Sequence, residues 1–157
     1  MTAKECLSGL WRLQVVIDQD RLELKRLEDS IETLHSVDYS RDRVQTTHKP
    51  DAPYVPRVNR LVDMGQALRA EIARMMETRC QVVAMIQRLD DARYATVLYK
   101  HYAEGKGLKT IAAECGYSYG ATRRIHGEAL RRFAKSFLPE CEAILKMLQN
   151  VTKSDKM

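Results

Sequence analysis

The sequence predicts an all-α protein in which a long, coiled-coil-like helical hairpin precedes a compact unit of short helices. Three observations carry this. Helix breakers are few, with 7 Gly and 4 Pro in 157 residues. Leu, Arg, Glu, Lys and Ala are abundant, and these side chains lose little rotamer freedom in a helix. Apolar residues recur at alternating intervals of three and four along two long stretches, with charged residues between them. Hydrophobic residues make up 45% of the chain and charged residues 30%. That is a globular composition and excludes a disordered one.

The first stretch is Leu10, Leu13, Ile17, Asp20, Leu24, Leu27, Ile31 and Leu34, apolar at every position but Asp20. Arg21, Glu23, Lys25, Arg26, Glu28 and Asp29 fill the intervals. A helix of this pattern buries a narrow stripe against a second helix and is about 37 Å long. A spacer follows near residues 36–56, with Pro50, Pro53 and Pro56, and cannot be one continuous helix. The second stretch runs through Val58, Leu61, Gly65, Leu68, Ile72, Met75, Arg79, Val82, Ile86 and Leu89. Two stripes of similar length predict an antiparallel hairpin, with a homodimer through the same helices as the rival arrangement.

Asp90 and Asp91 suit a helix start, because short acidic side chains accept from free amides there. The third helix is expected to reach Glu104, with Ala95, Leu98, Tyr99 and Tyr102 on one face, and to end at Gly105 and Gly107. From Leu108 to Phe133 the residues fit a helix-turn-helix. Leu108, Ile111, Ala112 and Cys115 form the inward face of a short helix, and Ala112 is small where a second helix must cross. Gly116 supplies the turn, Tyr117 plugs the angle between the helices, and Ser118 caps the second helix. Thr122, Ile125, Ala129 and Phe133 then face the core. The chain thus divides into a hairpin over 1–89, a helix-turn-helix unit over 90–137, and a C-terminal helix and tail over 138–157.

The formal net charge is +5. Between Lys106 and Lys135 stand seven basic residues against two acids, Glu114 and Glu128, so this window alone holds the whole excess. A local basic excess is the footprint of phosphate contacts. In a helix-turn-helix the start of the second helix enters the major groove of double-stranded DNA. Tyr119, Arg123 and Arg124 are therefore the candidate base contacts, since a guanidinium donates twice to guanine O6 and N7. Lys106, Lys109, Ser118, Arg131 and Arg132 are the candidate phosphate contacts, which position without reading sequence. Gly120 and Gly127 allow close backbone approach.

The segment also resembles a known family. Tyr102-Ala-Glu-Gly105, Leu108, Ile111-Ala112, Gly116-Tyr-Ser118 and Ala129-Leu130 are similar to region 4 of bacterial sigma-70-type factors. Over most of its length the chain resembles small sigma-like regulators of Gram-positive phages and prophages. Ser40-Arg-Asp-Arg-Val-Gln-Thr-Thr47, Tyr117-Ser118, His126-Gly127 and Ala129-Leu130 carry that likeness, with Thr47 where the signature has Ser. The resemblance implies a phage or prophage transcription regulator with RNA polymerase as a partner. It does not imply a complete sigma factor, because no aromatic-rich promoter-melting region is present. The alternatives are a phage DNA-packaging recognition subunit of small-terminase type, and a region-4-like module that docks protein.

Other chemistries find no support. No Gly-x-Ser-x-Gly, phosphate-binding Gly-rich loop or carboxylate cluster appears, so an enzyme is not expected. His35, His48, His101 and His126 lack metal-ligand spacing, and His126 reads as a packing residue ahead of a DNA contact. Asp42, Arg43 and Gln45 suit a polar binding loop or a loop folded onto the hairpin. Cys6, Cys80, Cys115 and Cys141 are far apart, which predicts reduced, mostly packed thiols and no zinc site. No metal or other cofactor is expected. Lys4, Glu5, Arg12 and Asp18 interrupt any N-terminal apolar run, and no apolar run approaches membrane-spanning length. The expected location is the cytoplasm.

Overall fold

A computed structural model describes residues 1–36 and 55–154. Among them there is no strand. The elements are α1 (Ala3–Ser36), α2 (Val55–Gln87), α3 (Ala92–Leu98), a π-helical turn (Tyr99–Ala103), α4 (Leu108–Cys115) and α5 (Tyr119–Ser154). Asp42, Arg43, Gln45 and most of the 36–56 spacer lie outside the described residues. Pro56 does not belong to the spacer. It stands in the first turn of α2, where a missing N–H costs no helical bond.

Two compact units result, and they cut the chain differently from the boundaries expected at 89 and 137. One holds residues 17–73. The other holds residues 1–16 together with 74–157.

The 17–73 unit consists of parts of α1 and α2. The expected stripe is the protected one: Ile17, Val58, Gly65 and Ile72 are buried, and Leu24, Leu27, Ile31, Leu34, Leu61 and Leu68 are half-buried. Asp20 is half-buried as well. A Cβ built on Gly65 would meet Leu24 Cδ1 at 3.8 Å, and Arg69 pairs with Glu28.

In the larger unit α1 opens on a reciprocal cap. The Thr2 amide donates to the Glu5 carboxylate at 2.6 Å and the Glu5 amide to Thr2 Oγ1 at 3.3 Å. The Thr2 amide and hydroxyl, both donating to it, hold the Glu5 carboxyl below its ordinary range. The first turns then bury Ala3, Cys6, Leu7 and Leu10 in a core with Val82, Met85 and Ile86 of α2, Leu98 and Tyr102, and Ala129, Phe133 and Cys141 of α5. Phe133 is fully buried. Truncating such a side chain to Ala costs about 3–5 kcal/mol.

α5 is a single helix through Pro139, so the separate C-terminal helix expected from residue 138 is corrected. A proline inside a helix loses one backbone bond. Packing offsets that loss here: Cys141 is fully buried, Leu145 lies beside Gly9, and Glu142 pairs with the N-terminal amine at 3.2 Å. The Cys6 thiol donates to Met1 Sδ at 3.2 Å, Cys141 lies beside it, and burial pushes both thiols up from the ordinary range. Cys115 is half-buried and Cys80 exposed, so the thiols are mostly packed, as the sequence predicts.

Asp91 caps α3, accepting from the Arg93 amide at 2.8 Å. The expected helix to Glu104 forms, but its second half widens into the π turn, closed by the Glu104 amide on the Tyr99 carbonyl at 3.2 Å. The buried pairs Val97–Leu98 and Tyr102–Ala103 are five residues apart. A regular α-helix would turn the second pair about 140° away from the first, and the wider turn reduces that offset. Arg79 of α2 donates to the Ala103 carbonyl at 3.5 Å, which satisfies one of the acceptors left open at the helix end.

Candidate nucleic-acid interface

α4 and α5 are joined by Gly116, Tyr117 and Ser118. Gly116 takes a left-handed conformation (φ 70°), and the Tyr117 amide reaches back to the Ala112 carbonyl at 3.0 Å. That bond satisfies the Ala112 carbonyl near the end of α4, and the positive φ favours glycine. Ser118 Oγ accepts from the Ala121 amide at 3.1 Å, the bond of a helix N-cap. Ile111, Ala112, Thr122, Ala129 and Phe133 are buried, and Leu108, Cys115 and Ile125 are half-buried. Tyr117 departs from expectation. It is 37% exposed, so it is not a buried plug.

The outward face of α5 carries Gly120, Arg124, Gly127 and Arg131 at intervals of four, three and four, which is one straight stripe on a helix. Arg123 borders it, and Tyr119 in the first turn is 48% exposed. Nothing in the protein lies within 4 Å of a Cβ built on Gly120 or Gly127. Neither glycine is therefore required by internal packing. Arg123, Arg124, Arg131 and Lys109 are exposed and have no ion-pair partner among the described residues.

Not every sequence-predicted residue joins this face. Lys106 bridges Glu104 and Glu114, each at 2.9 Å, and Lys100 pairs with Glu114 as well. The two carboxylates raise the Lys106 ammonium to about 12, while the two lysines hold the Glu114 carboxyl below its usual range. Two cations and two anions make this cluster neutral, so Lys106 adds little free charge. Arg132 lies off the stripe. It lines a surface cleft of about 560 Å³ with Arg88, Asp90, Asp91 and Lys135. Glu128, the other acid of the basic window, accepts from the Tyr94 hydroxyl at 2.7 Å.

Sequence spacing alone did not reveal a third cluster. His126 of α5 packs on Tyr102, whose hydroxyl is 3.2 Å from His126 Nε2, and its ring centroid is 5.0 Å from that of His101. Burial, His101 and Lys4 lower His126 to about 4, so it is neutral at pH 7. Burial also raises Tyr102 to about 12. His126 is thus a packing residue. Among the described residues no group of three or more His, Cys, Asp or Glu is placed to hold a metal ion, and no helix is long and apolar enough to cross a membrane.

Comparison with family models, with curated proteins and with solved structures finds no match for this chain.

Proposed function

We propose that the chain is a sequence-specific DNA-binding transcription regulator of phage or prophage type, and that α4 and α5 act as a sigma region-4-like helix-turn-helix. The carrying observation is the α5 stripe. Two glycines without an internal role leave the backbone open to close approach, and exposed arginines without carboxylate partners stand between and beside them. A helix of this kind suits the major groove. Arg123 and Arg124 read bases, with Tyr119 beside them, each good bidentate pair being worth about 1–3 kcal/mol of discrimination. Lys109, Ser118 and Arg131 hold phosphates. Lys106 and Arg132 play smaller parts, since one is neutralised and the other lies off the stripe.

In this reading α1 and α2 form a helical hairpin that sets the oligomeric state or meets RNA polymerase. A homodimer supplies two half-sites. The protein works in the cytoplasm and performs no catalysis. A binding selection of the purified protein against sheared DNA of its own source, at near-physiological salt, tests the reading. Enrichment of a site upstream of a gene supports it. Enrichment at a packaging end assigns the protein to DNA packaging instead, and no enrichment removes sequence-specific binding by the chain alone.

A further inference from the structure

The first turns of α1 carry a second cationic surface. Lys4, Trp11 and Arg12 line a cleft of about 470 Å³ with His101 and Gly105. Trp11 is the chain's single tryptophan and is 49% exposed. Its six-membered ring rests on Gly105, where a Cβ would fall 2.7 Å from Cζ3 and 2.8 Å from Cε3. Gly105 has φ 71°, so both its backbone and its bare Cα seat the indole. A large aromatic ring held half in solvent is not explained by core packing. Lys4 and Arg12 have no carboxylate partner among the described residues. Of the flanking acids, Glu5 is held by Thr2 and Glu104 by Lys106.

His101, in the wall of this cleft, contacts α5. His101 Nδ1–H donates to the Lys106 carbonyl at 2.7 Å, just before α4 begins. The His101 ring meets that of His126, which follows Arg123 by less than one helical turn. Lys4 is near enough that its charge helps keep His126 neutral.

Resting on the DNA-binding reading above, we infer that the Lys4–Trp11–Arg12 cleft is a second contact for the sugar-phosphate backbone of the same duplex. Lys4 and Arg12 each neutralise a phosphate, and the exposed indole packs on the adjoining sugar. The start of α1 is then part of the DNA-binding surface and not only a packing element.

Trp11 reports on its own cleft. A fluorescently labelled mixed-sequence duplex is titrated with the intact protein at low salt. Anisotropy of the label measures binding, and acrylamide quenching of selectively excited Trp11 measures access to the cleft. The expected result is that bound duplex protects Trp11 with the same midpoint as the anisotropy change. In the double variant Lys4→Ala/Arg12→Ala that protection is lost, and the slope of log K against log salt falls by about two. Both replaced side chains are exposed, and an unchanged circular dichroism melt confirms the fold. If anisotropy rises while Trp11 stays as accessible as in the free protein, DNA binds elsewhere. The inference is then overturned and the DNA-binding reading stands. If anisotropy does not change at all, both are overturned.

Discussion

Gly120 and Gly127 stand seven residues apart on one face of α5, and beyond their own turn of helix no atom lies within 4 Å of a Cβ built on either. Glycine inside an exposed helix costs about 1 kcal/mol relative to alanine. Each substitution to Ala is therefore expected to stabilise the fold by about 0.5–1 kcal/mol in denaturant unfolding. If the bare face exists for close approach to DNA, the same substitutions weaken duplex binding. A gain in stability with unaltered affinity would leave the two glycines without a binding role.

Lys106 and Lys109 are three residues apart, and the sequence offers no reason to separate them. The structure commits Lys106 to Glu104 and Glu114 and leaves Lys109 exposed. Lys109→Ala is expected to lower the salt slope of DNA binding by about one, and Lys106→Ala by clearly less. Equal effects would mean that the carboxylates release Lys106 when DNA arrives.

His126 ties stability to pH. It is held at about 4 in the folded protein against an ordinary 6.5. The unfolded chain therefore binds this proton more readily. The stabilisation from keeping the ring neutral is complete above pH 6.5 and is lost as the pH falls through about 4. With solvent screening at the half-open edge of the ring, the loss is about 1–2 kcal/mol. Urea midpoints at pH 7 and pH 4.5 measure it, and His126→Gln should flatten the difference. An unchanged difference in the variant would place the titration on another group.

The thiols test how the start of α1 rests on α5. Cys6 and Cys141 are buried against each other, while Cys80 is exposed. The thiolate is the reactive form, and burial disfavours it. A chromogenic disulfide reagent should label Cys80 promptly, and Cys6 and Cys141 only after unfolding. Labelling of Cys6 as fast as Cys80 would show that the α1–α5 contact opens readily.

Much of the fold was legible because burial writes itself into helical periodicity. The stripe from Val58 to Leu89, along α2 and just past its end, is buried or half-buried at all ten positions, including Gly65 and Arg79. Gly116 and Ser118 were legible because a tight turn and a helix start each demand particular chemistry. The start of α1 was not, since Cys6 and Leu7 share a core with Phe133 and Cys141, far away along the chain. Pro139 suggested a break that tertiary packing overrides. At the candidate site, Arg123 and Arg124 stand where helical phase puts them. The neutralisation of Lys106, named as a phosphate contact, and the seating of Trp11 on Gly105 escaped notice because Glu114 and Gly105 meet them through space. No local propensity predicts the π turn that aligns Tyr102 with the core.

The central claim is that α5 reads bases while neighbouring cations only position the duplex. The most direct test compares wild type, Arg123→Ala, Arg124→Ala and Lys109→Ala on the selected site and on single-base variants of it, across a salt series. The account predicts that each arginine change relaxes preference at one base position by about 1–3 kcal/mol. It predicts that Lys109→Ala weakens all duplexes alike and flattens the salt slope. If all three substitutions act alike on every duplex, the division between reading and positioning is wrong. If wild type binds no duplex, the DNA-binding claim itself is contradicted.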